Sequence, residues 1–195
     1  MADAKSGRVE VTAPRLILTA LATSGLRPNL DQPLELGLLA VDRRTFELVD
    51  VFTEVLAADP SAVLASADEF VIDMHTSNGL FEEIVEAQST WRSSFDEAAK
   101  KAASNAINFI EANGATGECR SPLICFGTDW THRWLSTRFP TLVGQFKGEL
   151  DMSTVLQVQG RSRKRGDGRA ESTLTELYAA LRGMLGDVAA LSAKT

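Results

Sequence analysis

Apolar positions in the first part of the chain follow strand spacing rather than helix spacing. Arg15-Leu16-Ile17-Leu18-Thr19 is a short apolar run ending at Ser24-Gly25, the pattern of a buried strand followed by a turn. Leu34 to Val41 is a second run, Asp42 to Thr45 supplies a turn, and Phe46 to Leu56 returns with Phe46, Leu48, Val49, Val51 and Val55 apolar. Together they predict an antiparallel meander. Residues 60–88 read as helical in short pieces, broken at Asn78-Gly79. Ser94 to Glu97 has capping-box spacing, and Phe95, Ala99, Ala102, Ala106 and Ile110 follow at helical intervals up to Gly114. Pro122 to Phe126 is a compact strand, Asp129 to Phe139 a helix stopped at Pro140, and Glu149 to Met152 a short strand with a helical turn from Ser153. Leu174, Leu177, Leu181, Leu185, Val188 and Leu191 form the stripe of a last helix, for which Thr173 to Glu176 offers a capping box. The expectation is one mixed α/β domain over residues 15–192, behind a polar lead-in of residues 1–14.

Composition changes this picture in one place. The net charge of −6 argues against a surface that binds polyanions everywhere, but not against a local basic site. Residues 160–169 are that site: Arg161, Arg163, Lys164, Arg165 and Arg169 stand against the single acid Asp167. Such a run is either a contact for phosphates or an acidic partner, or a solvated loop. Cys119 and Cys125 match no metal or disulfide framework and read as reduced thiols of a cytoplasmic protein, Cys125 in the core. No apolar run approaches the roughly 18–20 residues of a membrane span, and the opening residues have no signal-peptide core. Trp134 fits an inward helix face, whereas Trp91 and Trp130 are candidates for an exposed contact surface.

Three blocks then carry a resemblance. Ala20-Leu21-Ala22-Thr23-Ser24-Gly25-Leu26 resembles the Asp-x-Glu-x-Thr-Gly-Leu turn of oligoribonucleases and the wider DEDD 3′–5′ exonuclease group, with Ala20 and Ala22 in place of both acids. Met74 to Leu80 looks like the His-x-x-Ser-Gly-Leu segment of oligoribonucleases, and Phe70 stands where that family has a tryptophan. Leu135 to Thr154 resembles the stretch from the second metal motif to Asp-Val-Ser-Thr. Their order and spacing extend the likeness over residues 15–191. The resemblance implies a ribonuclease H-like exonuclease fold: a mixed sheet that begins with a three-stranded antiparallel meander and is flanked by helices. It also implies a homodimer, or a former dimer surface turned to another partner.

These exonucleases use two magnesium ions to activate water and stabilise the leaving oxygen. Magnesium requires hard carboxylate oxygens, and strand positions i and i+2 place two of them on one side. By resemblance the third acid falls at Thr131, the general-base histidine near Gly168, and the last acid at Ser172 or Thr173. Asp129 lies two residues too early, and no histidine follows His132. The positions Ala20, Ala22, Thr131, Gly168 and Ser172 therefore leave all five roles unfilled, so no catalytic residue and no metal are expected. A cofactor, Mg²⁺ or Mn²⁺, enters only if the acids at Ala20 and Ala22 were removed by engineering rather than lost naturally. Leu26, Phe70, His75 and Ser153 stand as the remainder of a nucleotide pocket, joined by the cations of residues 160–169. The arginine expected before that serine is replaced by Gly148 and Glu149. The bland alternative places Leu26 and Phe70 in the core and makes His75 a hydrogen-bonded turn residue. Three readings stay open: an inactive binder of short RNA or single-stranded DNA, an interaction subunit with a protein partner, and an active exonuclease carrying two introduced alanines.

Overall fold

The computed structural model describes residues 15–56, 59–91, 94–159, 161 and 167–192. Strands β1 (Arg15–Thr23), β2 (Pro33–Asp42) and β3 (Leu48–Val55) form the antiparallel meander. Strands β4 (Leu123–Cys125) and β5 (Glu149–Asp151) join parallel to β1, giving the order β3-β2-β1-β4-β5. The fold class is that expected: a mixed five-stranded sheet of an α/β domain. Central strands read as continuous apolar runs because helices cover both faces of the sheet. On one face Ile17, Leu36, Leu38 and Cys125 pack with α4 (Phe95–Ala112), α5 (Thr128–Arg138) and α6 (Pro140–Val143). On the other, Leu18, Ala20, Leu39 and Ile124 pack with α7 (Met152–Val158) and α8 (Ala170–Ser192). A smaller cluster of Ala22, Leu34, Val63, Leu80 and Ile84 lies under α1 (Pro60–Ser66) and α3 (Leu80–Trp91), with α2 (Glu69–Ser77) between them in the chain.

Gly37 sets how closely α8 approaches the sheet. A Cβ there would stand 2.8 Å from Leu174 Cδ1 and 3.2 Å from Ala170 Cβ. The capping box of α4 forms as its spacing predicts, with Glu97 N donating to Ser94 Oγ and Ser94 N to Glu97 Oε2. Trp134 is fully buried. Among the described residues no helix is long and apolar enough to cross a membrane.

Three boundaries differ from the expectation. Strand β3 begins at Leu48, because Phe46 adopts φ +55° in a turn whose amide returns to the Asp42 carbonyl. The helix expected to run to Phe139 ends one residue sooner, at Arg138, because Pro140 disfavours a helical backbone at Phe139, and Pro140 itself starts α6. Helix α8 starts at Ala170, so Thr173 lies within the first turn rather than at the cap. Its amide already donates to the Arg169 carbonyl. Stronger acceptors lie earlier: Asp167 takes Arg169 N and Ser172 Oγ, and Glu35 takes Ala170 N.

Candidate functional site

Where β1 ends, the chain turns back through a tightly bonded loop. Ser24 N donates to the Gln32 carbonyl and Gln32 N to Ser24 Oγ. Asp31 tucks beneath this loop, accepting Arg27 N at 2.7 Å. A Cβ at Gly25 would lie 2.4 Å from Asp31 Oδ2, so only glycine permits the approach. With Asp31 filling the inside of the turn, Leu26 points outward and is 76% exposed. The opposite wall is α2, started by Asp68, whose side chain accepts Phe70 N. The inward residue of α2 is His75. Phe70, five positions earlier and about 140° around the helix, is 60% exposed. Leu26 and Phe70 are therefore not core residues. Between them opens a cleft of about 930 Å³, completed by the first turn of α5 and the start of α8. Trp130 forms part of its wall, half-buried with its ring centroid 5.9 Å from that of Trp134, rather than an exposed contact surface.

His75 is wholly buried at the back of this cleft. Nε2 lies 3.3 Å from the Thr23 carbonyl, which can only accept, so the proton is assigned to Nε2. Nδ1 then accepts from Asn78 Nδ2 at 3.4 Å, and the same amide donates to the Asp167 carbonyl. Burial holds the imidazole below its ordinary pKa, outweighing the Thr23 carbonyl and the Glu35 charge. The unfolded chain thus takes up a proton near pH 6.5 that folded His75 refuses. Stability should fall as pH drops through and below 6.5, and His75→Gln should flatten that dependence. Urea unfolding at pH 7.5 and 5.5 checks this; a His75→Gln profile as steep as wild type would contradict it.

Around this wall the structure gathers the positions singled out by the resemblance. Ala20, Ala22, Thr131, Gly168 and Ser153 all line the cleft, and Thr173 lines it rather than Ser172, whose hydroxyl donates to Asp167. Asp129 does not reach it. With His132, Arg133 and Glu149 it borders a separate depression. The Thr131 side chain hydrogen-bonds Cys125, whose thiol burial pushes up to about 12. Gly168 has φ +84°, and a Cβ there would stand 2.5 Å from Met74 Sδ and Cε. Ser153 follows Asp151, whose carboxylate accepts the amides of Gly127, Thr128 and Ser153. Burial raises the Asp151 pKa, but these amides outweigh it and hold the group below the usual range.

Arg169 serves a different purpose from the one expected. Its guanidinium pairs with Glu35 at 2.8 Å and with Glu83 at 2.7 Å, and its side chain is only 14% exposed. Hydrogen bonds to Glu83, then to Glu35, hold the proton more firmly than in free arginine despite burial. Its partners are two carboxylates of the same chain, buried Glu35 and exposed Glu83. Arg161 is exposed, with its amide bonded to the Leu156 carbonyl. Arg163, Lys164 and Arg165 lie outside the described residues, as does the Trp91 side chain. The sequence did signal this network. Glu35 is the one charge within an apolar strand, and a buried carboxylate requires a partner.

No family model and no curated protein matches the sequence. Solved structures do match. The nuclease domain of 3′hExo, a DEDDh family member bound to rAMP, superposes with a TM-score of 0.58 at 11% identity, over 90% of this chain and 93% of that domain. A 3′-exonuclease recognising the 3′ end of histone mRNA stem-loop gives 0.56 at 12% identity, over 90% and 83%. Product-bound exonuclease I gives 0.51 at 13% identity, over 87% of this chain but only 43% of that one. The fold is that of the DEDDh exonucleases.

The two magnesium ions that the resemblance implies do not fit the cleft of this exonuclease fold. Ala20 and Ala22 offer no oxygen, Gly168 no side chain, and Thr131 only a neutral hydroxyl. Of the carboxylates that line the cleft, Asp31 and Asp68 each accept a backbone amide of their own turn. Among the described residues no group of three His, Cys, Asp or Glu side chains is placed to hold a metal.

Proposed function

We propose that the protein is a non-hydrolysing relative of the DEDDh exonucleases that holds the end of a short single-stranded RNA or DNA by its bases. One observation carries this reading: the cleft is open and presents exposed Leu26 and Phe70 on facing walls, while every position of the metal chemistry is neutral. Among the described residues the charged ones lining it are Arg27, Asp31 and Asp68, which attract phosphate only weakly, so the reading rests on base contacts. Stacking on an aromatic side chain contributes about 1–3 kcal/mol per base. A fluorescein-labelled tetranucleotide should bind in the presence of EDTA, and Phe70→Ala should weaken it about tenfold, since 1.4 kcal/mol is a factor of ten. Fluorescence anisotropy measures both. A wild-type protein that ignores oligonucleotides at low salt would sink the reading.

A second reading, a subunit that works through a protein partner or a second copy of itself, draws on the edge of the sheet. Among the described residues, strand β3 pairs on one side only and exposes Leu48, Val49 and Val51. Open apolar edges favour pairing with another chain. A stable complex in sedimentation, formed by a protein without oligonucleotide affinity, would favour it.

A further inference from the structure

A second groove leaves the cleft across Leu26. One wall is the turn that carries Arg27 and Leu30, and the other is a face of α5 bearing His132, Arg133, Ser136 and Thr137. These four share one helix face by their spacing of one and four residues. The groove encloses about 740 Å³. Arg138 Nη2 donates to the Asp31 carbonyl at 2.8 Å and so ties the turn to α5. Leu26 and Arg27 line both the groove and the cleft, which makes the two one continuous path.

The charge of this groove runs against that of the protein. No carboxylate is among its described lining residues, which include two arginines, in a chain of net charge −6. The Arg27 side chain is 66% exposed, with Nε 3.5 Å from Asp31. Arg133 is exposed, and its Nε donates to the Asp129 carbonyl of its own helix. Ser136 and Thr137 add hydroxyl groups, which with arginine are the usual partners of phosphate oxygens. The cleft itself sets Arg27 against Asp31 and Asp68.

We infer that the groove is a phosphate track for the strand that leaves the cleft. Phosphates lie against Arg27 and Arg133, Leu26 stands at the divide, and Leu30 supports a base beyond it. The cleft then selects for bases and the groove supplies the electrostatic attraction that the cleft lacks. This assignment rests on the reading of the cleft as a nucleic-acid site, and it specifies where chain length and salt are sensed.

The test compares a labelled dinucleotide with a labelled octanucleotide of the same base, on wild type, Arg133→Gln and the Arg27→Gln with Arg133→Gln double variant. Both side chains are exposed, and a thermal melt of each variant registers any cost of losing the Arg27–Asp31 pair. The octanucleotide should bind wild type more tightly than the dinucleotide, and the double variant should shrink that advantage about tenfold. Each phosphate neutralised on a single strand contributes roughly −0.7 to the slope of log affinity against log salt. The octanucleotide slope should therefore become shallower by about 1.4 in the double variant. An unchanged advantage and slope, with dinucleotide binding by Arg133→Gln intact, overturn the track and leave the cleft reading standing. Absence of binding by either oligonucleotide removes both. An oligoglutamate peptide that displaces the octanucleotide as well as unlabelled octanucleotide does, at equal charge, would reassign the groove to an acidic protein segment.

Discussion

Arg169→Met should lower the free energy of unfolding by about 3–5 kcal/mol, the range for removing one partner of a buried ion pair. Glu35 is 1% exposed and receives two bonds from the guanidinium, at 3.1 and 2.8 Å, besides one from Ala170 N. Methionine fills comparable space but leaves the carboxylate buried and short of its cation. For a domain of this size the loss corresponds to a fall in Tm of roughly 10 °C, measurable by circular dichroism. The double change Glu35→Leu with Arg169→Met should recover much of it, because exchanging both charges for apolar groups removes the unmet desolvation cost. It should not recover all of it, since Ala170 N loses its acceptor. A single variant within 1 kcal/mol of wild type would mean that solvent already reaches Glu35. The effect matters for the site as well. Glu35 is paired with Ala22 across β1 and β2, and Arg169 leads directly into α8. The network thus fixes Gly168 and Thr173 against the cleft from below.

How legible each feature was in the sequence depended on the range of the forces that decide it. The meander, the buried central strands and α4 follow from apolar runs and a capping box, both local signals, and they formed as expected. The start of α8 did not, because its decisive acceptor, Glu35, lies 135 positions from the amide that it receives. Arg169 misled for the same reason. Beside its basic neighbours it reads as part of a polyanion contact, yet its partners Glu35 and Glu83 are 134 and 86 positions away. Ala20, Ala22, Thr131 and Gly168 were placed together by the order of three motifs, and the fold brings them to one cleft. Leu26 and Phe70 were ambiguous because an apolar side chain does not declare its exposure locally. The close approach of Asp31 to Gly25 decides the first, and the angular distance from His75 decides the second. The groove over α5 left no signal, since Arg27 and Arg133 become neighbours only when the turn is tied to the helix.

Restoring the two acids, by Ala20→Asp together with Ala22→Glu, should not produce an exonuclease. Ala20 packs with Leu18, Leu39 and Phe126, and Ala22 with Leu34, Leu80 and Ile84. Two carboxyl groups placed there enter the cleft side by side from one strand face, so their mutual repulsion raises the pKa of at least one. The pair should lower stability through that repulsion. Metal binding needs further carboxylate donors, and the matching positions supply none: Thr131 has a neutral hydroxyl, and Gly168 is without a side chain. Adding the general base is harder still. Gly168→His would force a β-carbon into a left-handed backbone at φ +84° and against the Met74 thioether. General acid–base catalysis accounts for about 10²–10⁴ in rate where it operates, and Gly168 brings no side chain to perform it. A labelled oligonucleotide incubated with the double variant in magnesium or manganese should therefore remain intact, while thermal denaturation registers the loss of stability. Mononucleotide release would instead reveal an active site that lacked only its first two acids. The shape of the chain around Gly168 and Met74 argues the other way: the backbone where a catalytic histidine would stand has a conformation and a neighbour suited to glycine.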